Sequence, residues 1–225
     1  MMRIFDEGYI NQLISILMPG TADTIFMVSI SSLFAVISGL ALGVVLYMTH
    51  QGGLYESLLL NRILGTIVNI GRSIPFVIII IAVFPLSRFI VGTSIGRTAA
   101  IVPLTIAAIP FVARLVEANL NELGRGIVEA AVSAGATPIQ IVFRVLLPES
   151  ASSLVSSFTL TIISLIGYSA MAGTIGGGGL GDVALRHGYQ RFRTDILILT
   201  VLILIILVQF IQIVGQIISK RLDKR

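Results

Sequence analysis

Cysteine is absent from the 225 residues, which excludes disulfides and thiolate chemistry. Histidine is nearly absent: His50 and His187 stand far apart without evident ligand partners, so no metal site is expected. Charge is scarce too. Only 12% of residues are charged, against about a quarter in an ordinary soluble domain. Hydrophobic residues make up 56% and are gathered into long runs that a soluble core would not require. These features specify an all-α, polytopic membrane protein, read as a single domain over residues 1–225 because no linker divides it. The net charge of +4 suits the cytoplasmic segments of such a protein better than nucleic acid, so no nucleic-acid partner is expected. Lys220, Arg221, Lys224 and Arg225 form a basic tail suited to the anionic lipid of an inner leaflet. A basic signal region is also lacking, since Asp6 and Glu7 occupy its place. Residues 10–18 therefore read as a short helix at the membrane surface, ending at Pro19 and Gly20.

A spanning helix needs about 20 largely apolar residues, because lipid cannot satisfy free backbone groups. Five stretches qualify: 24–48, 63–84, 99–116, 151–172 and 196–218. Gly39 and Gly43 in the first have the four-residue spacing that permits close helix approach. The second holds Arg72 and Pro75, and Pro103 and Pro110 are expected to bend the third. Five spans put the termini on opposite sides. Arg62, Arg125, Arg144 and the basic tail lie on one side; Arg3, Arg88, Arg97, Arg186, Arg191 and Arg193 lie on the other. The two sets are nearly equal, so charge alone leaves the orientation open. No internal repeat is evident, which weighs against secondary transporters built from duplicated halves.

Between the third and fourth spans runs Glu129-Ala-Ala-Val-Ser-Ala-Gly135, and nine residues later comes Val145-Leu-Leu-Pro148. Ala130, Ala131 and Ala134 favour helix, Gly135 suits a helix stop, and Thr137-Pro138 suits the cap and first position of another helix. Pro148 marks the start of the fourth span. Small residues on the first helix leave a thin surface that fits closely into a partner's cleft. The stretch resembles the EAA motif of ABC importer permeases, matching at Glu129, Ala130, Ala131, Gly135, Leu147 and Pro148, with Val145 in place of isoleucine. In that family the segment, here about 125–147, is a cytoplasmic coupling helix that docks into a groove of the ATPase.

Longer strings are similar to the methionine permeases among ABC importers. They are Arg72-Ser-Ile-Pro-Phe76, Ile90-Val-Gly-Thr-Ser-Ile-Gly96, Ala100-Ile-Val-Pro-Leu-Thr105, Gly135-Ala-Thr-Pro-Ile-Gln-Ile141, Gly167-Tyr-Ser-Ala-Met-Ala-Gly173 and Gly178-Gly-Leu-Gly181. The resemblance implies a MetI-like ABC permease fold of five transmembrane helices in a bacterial inner membrane. It places the amino terminus outside and the carboxyl terminus in the cytoplasm. It further implies a homodimer, two ATP-binding subunits, a periplasmic or lipid-anchored solute-binding protein, and a small-molecule substrate, methionine. No cofactor is expected on this chain, since ATP and Mg belong to the partner ATPase, and the chain itself is no enzyme. Tyr168, Ser169 and Met171 would line the substrate pathway, and Gly178, Gly179 and Gly181 would face the docked binding protein.

The run Gly176 to Gly181 fits a dinucleotide fingerprint, but a spanning helix precedes it and no strand-helix-strand unit exists; no lysine follows as a Walker loop requires. The ordinary reading is a flexible external loop. Tyr168 and Met171, three residues apart, share a helix face, where a ring and a thioether suit a sulfur-containing cargo or simple packing. Arg72 is either functional or snorkels to water. Arg114 and Glu117 either pair or reach water separately. Asp182, Arg186, His187, Arg191, Arg193 and Asp195 give the last external segment mixed charge, as a solvated loop or a docking surface. The rival functions are an ATPase-independent secondary transporter or channel, which needs central ionisable groups, and an intramembrane enzyme, which needs converging acids, bases or metal ligands. Apart from Arg72, the spans offer neither.

Overall fold

The structure is a computed structural model that describes residues 7–223. Arg3 and Asp6 at one end, and Lys224 and Arg225 at the other, lie outside the described residues. Every regular element among the described residues is helical: α1 (Glu7–Thr49), α2 (Leu58–Ser73), α3 (Phe76–Val91), α4 (Arg97–Asn121), α5 (Arg125–Ser133), α6 (Pro138–Ile141), α7 (Leu147–Glu149), α8 (Ala151–Ala172), α9 (Gly179–Val183) and α10 (Thr194–Leu222). Wider π-type turns cover Val142–Leu146 and Ala184–Tyr189, and Gly173–Gly177 is a kink in which Ile175 and Gly176 leave helical geometry.

Backbone contacts divide the chain into two compact units. One comprises the segment up to Ser32 with Pro75–Thr105 and Ile162–Phe210; the other comprises Leu33–Ile74, Ile106–Thr161 and the segment from Ile211. In the first unit, Leu17, Val183 and Ile196 are buried together, with Leu13, Ile16, Leu199 and Ile203 packed around them. This explains why α1 does not end at Pro19 and Gly20 as expected. Proline removes one backbone donor, and the helix tolerates that loss where packing holds it. Thr21 Oγ1 donates to the Leu17 carbonyl at 2.8 Å, and Gly20 admits Val183 so closely that a Cβ would sit 2.7 Å from its Cγ2. Residues 10–18 are thus the first turns of a 43-residue helix anchored in a core, not a separate surface helix.

In the second unit, Gly39 and Gly43 do let two helices meet. A Cβ on Gly39 would lie 2.5 Å from Val112 Cβ, and one on Gly43 would lie 2.6 Å from the Ala113 carbonyl oxygen. Around this α1–α4 contact, Tyr47, Val112, Val116, Leu120, Ile141, Val142, Leu146 and Leu154 form the buried core. Asn61 on α2 closes the end of α1, donating to the Leu46 carbonyl at 2.8 Å and Thr49 Oγ1 at 3.1 Å.

The helices α1, α4 and α10, and the stretch Ala151–Gly177, are long and apolar enough to cross a membrane. The expected span 63–84 is different: α2 and α3 qualify only as a bent pair. Pro75 disfavours helical geometry at Ile74, which is extended at φ −83° and ψ 126°. Arg72 consequently sits exposed in the last turn of α2, where the helix dipole favours a cation. Pro103 and Pro110 lie within one unbroken α4, and the Pro110 ring occupies space left by Gly71, where a Cβ would come within 2.7 Å of Pro110 Cγ. Arg114 and Glu117 form an ion pair at 2.7 Å.

Candidate functional site

The segment between α4 and α8 is built from local sequence. α5 ends because Gly135 adopts φ 78°, a left-handed conformation that costs other residues about 1–2 kcal/mol. That geometry lets the Ala136 amide donate back to the Ala131 carbonyl at 3.1 Å and the Gly135 amide to Val132 at 2.9 Å. Two carbonyls that a helix end leaves unpaired are thereby satisfied. One residue later Thr137 caps α6: its hydroxyl accepts from the Gln140 amide, and the Gln140 side chain accepts from the Thr137 amide at 2.9 Å. Pro138 occupies the first helical position, where its missing donor is harmless.

This construction turns the motif residues in different directions. Glu129 and Ala130 are exposed, whereas Ala131 packs against the buried core with Val128 and Ala136. Leu147 is half-buried against the same core, and Pro148 follows it in α7. The result is a short helix with one face anchored and a small-residue face open. Ile127 and Val132 are also exposed there.

Sequence reasoning missed the turn that backs α5. A cleft of about 370 Å³ separates them, lined by Tyr47, His50, Gly52 and Leu54 from the α1–α2 connection and by Val128, Glu129 and Val132 from α5. The turn is rigid. Gly53 donates to the His50 carbonyl at 2.9 Å, Tyr55 to Met48 at 3.0 Å, and Gly52 to the Glu56 carboxylate at 3.1 Å. The Gly52-Gly53 doublet is the only local signal of this turn, and it says nothing about what the turn approaches.

The pathway residues are not equivalent. Tyr168 stacks on Phe76 with ring centroids 4.4 Å apart and planes 11° from parallel. Met171 is 46% exposed. Ser169 differs from expectation: it is buried, and its hydroxyl donates to the Ile166 carbonyl of its own helix at 2.7 Å. A committed hydroxyl inside the chain offers nothing to a passing solute.

The glycine run also requires correction. It is no flexible external loop. Gly179 and Gly181 are buried, and Gly178 is half-buried. A Cβ on Gly181 would lie 2.1 Å from the Ala170 carbonyl oxygen, and one on Gly179 would meet Met27 Cε and Thr24 Oγ1 at 2.7 Å. The Leu180 amide donates to Thr24 Oγ1 at 2.9 Å, and the Gly96 amide to the Gly176 carbonyl at 2.8 Å. These glycines exist for close backbone packing, so Gly179 and Gly181 present no surface to a docking protein.

The mixed charges of the last connecting segment are largely paired. Arg186 pairs with Asp182 at 2.6 Å and Arg193 with Asp195 at 2.8 Å, and the Tyr9 hydroxyl also donates to Asp195. Burial and the nearby Arg191 guanidinium hold the His187 imidazole below its usual value. Between these anchors Tyr189 and Phe192 are 70% and 89% exposed. Among the described residues no cluster of three or more His, Asp or Glu could hold a metal ion.

Long apolar helices joined by a short helix with an open small-residue face are the architecture of a polytopic membrane protein. Residues 39–225 match the family described as "Binding-protein-dependent transport system inner membrane component". The probable D-methionine transport system permease protein MetI of Vibrio cholerae serotype O1 is 53% identical over 210 residues, covering 93% of each chain. The methionine import system permease protein MetP of Bacillus subtilis is 44% identical over 180 residues, covering 80% of this chain and 81% of that one. Among solved structures, an inward-facing MetNI methionine ABC transporter matches with a TM-score of 0.93 at 43% identity, covering 98% of this chain and 100% of that chain. The chain belongs to the family of binding-protein-dependent transport system inner membrane components.

Proposed function

We propose that the chain is the membrane-spanning permease subunit of an ATP-driven importer that carries methionine inward. The observation carrying this reading is α5: a short helix anchored on one face and exposed along Glu129 and Ala130 on the other. Such a helix serves as a mechanical handle for a separate ATPase. Methionine as cargo is supported by the names of relatives similar to this chain over most of their length.

In this reading two copies of the chain form the pathway on a two-fold axis, each copy engaging one ATPase subunit through α5. The basic tail and α5 face the cytoplasm, and the amino terminus faces outward. ATP and magnesium reside on the ATPase, and this chain makes and breaks no bonds. ATP binding closes the ATPase pair, the docked helices transmit the motion, and the pathway opens outward; hydrolysis resets it. Direction requires each ligand to favour one of the two states. Tyr168 and Met171 line the conduit. A periplasmic or lipid-anchored binding protein docks outside, on exposed residues of the last connecting segment such as Arg186 and Arg191 rather than on the glycines.

The test is uptake of labelled D- and L-methionine into proteoliposomes holding this chain, its ATPase and its binding protein. ATP-dependent uptake that needs all three is the expected result. Gradient-driven uptake by this chain alone would overturn the ATPase-coupled reading. ATP-driven uptake of other amino acids but not methionine would overturn the cargo.

A further inference from the structure

Arg72 takes no part in the cycle proposed above, and the helix that carries it, α2, has three distinct faces. Val68 is buried with Leu46 and Ala113, and Leu64 packs beside it. Ile63, Ile67 and Ile70, at helical spacing, form a second face and are 50%, 58% and 57% exposed. Arg62, Thr66, Asn69 and Ser73 follow the same spacing on a third, and all four are exposed. Arg72, three residues beyond Asn69, stands at the edge of this polar stripe and is exposed as well.

The two open stripes need different surroundings. Isoleucine suits lipid. Hydrocarbon cannot satisfy a hydroxyl, a carboxamide or a guanidinium, each of which costs several kcal/mol there without a partner. Among the described residues Arg72 enters no ion pair. Depth rules out an ordinary surface position. The helix rises only about 24 Å over Leu58–Ser73, short of a hydrocarbon core of roughly 30 Å, so its last turn ends inside the membrane. Charged side chains at such depth face a bundle interior or a water-filled cavity. The break at Ile74 also leaves acceptors open. Pro75 has no N–H for the Gly71 carbonyl, and among the described residues no backbone amide beyond α2 pairs with the Arg72 or Ser73 carbonyl. A guanidinium beside open carbonyls complements a zwitterion: it donates to a carboxylate, and the carbonyls accept from an ammonium group.

We propose that the polar stripe of α2 lines the water-filled conduit and that Arg72 binds the carboxylate of the passing amino acid, whose ammonium group meets the carbonyls ending α2. The inference rests on the transport reading and adds a contact to the part of the cargo that all amino acids share. Because the chain lacks cysteine, single cysteines report directly on these faces. The experiment uses the complex of this chain with its ATPase in nanodiscs, treated with the membrane-impermeant sulfonatoethyl methanethiosulfonate and read as mass added to this chain. Thr66→Cys, Asn69→Cys and Ser73→Cys should react, and Ile67→Cys and Ile70→Cys should not. Added methionine should protect Ser73→Cys. Arg72→Gln in that background should raise the half-protecting methionine concentration about tenfold, the loss expected for a hydrogen bond between charged groups, and Arg72→Lys should raise it less. Equal reaction of both stripes, or of neither, would overturn the conduit face; a stripe covered by a second copy of the chain gives the latter result. An unchanged protecting concentration in Arg72→Gln would overturn the Arg72 site, while methionine uptake by the wild-type transporter would leave the transport reading standing. Failure of that uptake would remove the transport reading and this inference with it.

Discussion

Replacing Gly135 separates backbone conformation from bulk as the reason for glycine in the turn between α5 and α6. An added Cβ there meets no atom within 4 Å, so volume by itself costs nothing. The φ of 78° is another matter: alanine pays about 1–2 kcal/mol to hold it, while asparagine enters this region more readily. A penalty of that size shifts the helix-end equilibrium about 5- to 30-fold, releasing the back-bonds from Ala136 and Gly135 that close α5. The predicted order of damage to ATP-driven uptake is therefore Gly135→Val worst, Gly135→Ala intermediate and Gly135→Asn mildest, although asparagine is larger than alanine. Gly135→Asp adds a negative charge to the same tolerated backbone and should uncouple hydrolysis from uptake while the spans stay folded. The assay is reconstituted ATPase activity and uptake for each variant, with thermal unfolding as the control for folding. Damage that follows side-chain volume, or normal uptake by Gly135→Asp, would refute the reasoning.

Further outcomes are expected elsewhere. Gly43→Ala places a methyl group 2.6 Å from the Ala113 carbonyl oxygen and should destabilise the α1–α4 contact by about 1–3 kcal/mol, read as a lower Tm in detergent. Gly181→Ala should abolish folded protein rather than merely weaken binding-protein docking, because its Cβ would overlap the Ala170 carbonyl; a folded variant with a pure docking defect would restore the loop reading. Met171→Ala should leave Tm unchanged, since the side chain is 46% exposed, yet alter uptake or basal ATP hydrolysis; no change in either would remove Met171 from the pathway. His187 is held below its ordinary value of 6.5 by burial and then by Arg191, so the folded state favours the neutral ring. Its stabilising contribution is complete above pH 6.5 and is lost as pH falls through the depressed folded value. Protection of the amides in the segment 184–193, corrected for the intrinsic exchange rate that itself falls with pH, should decrease on acidification, and His187→Gln should remove that component.

The helix, turn and helix of the segment from α5 to α6 were legible because their determinants are close in sequence. Gly135, Thr137, Pro138 and Gln140 act within one or two helical turns, through a left-handed backbone, a cap and a missing donor. The long apolar runs were legible for a similarly simple reason: a membrane demands about 20 apolar residues whatever their neighbours are. Tertiary packing decided the rest. Pro19 and Gly20 look like a stop, yet Leu17, Gly20 and Val183 pack so closely that α1 continues through them. The run from Gly176 to Gly181 looks like loose loop chemistry; contacts from Thr24, Met27 and Ala170 make it a tightly packed corner. Ser169 shares a string with Tyr168 and Met171, but the bundle buries it. Sequence alone determined which stretches are long and apolar and where α5 stops, because those depend on composition and on local backbone bonds. Which glycines are joints, which face of α5 is free and which turn stands behind it depend on atoms brought together from distant parts of the chain.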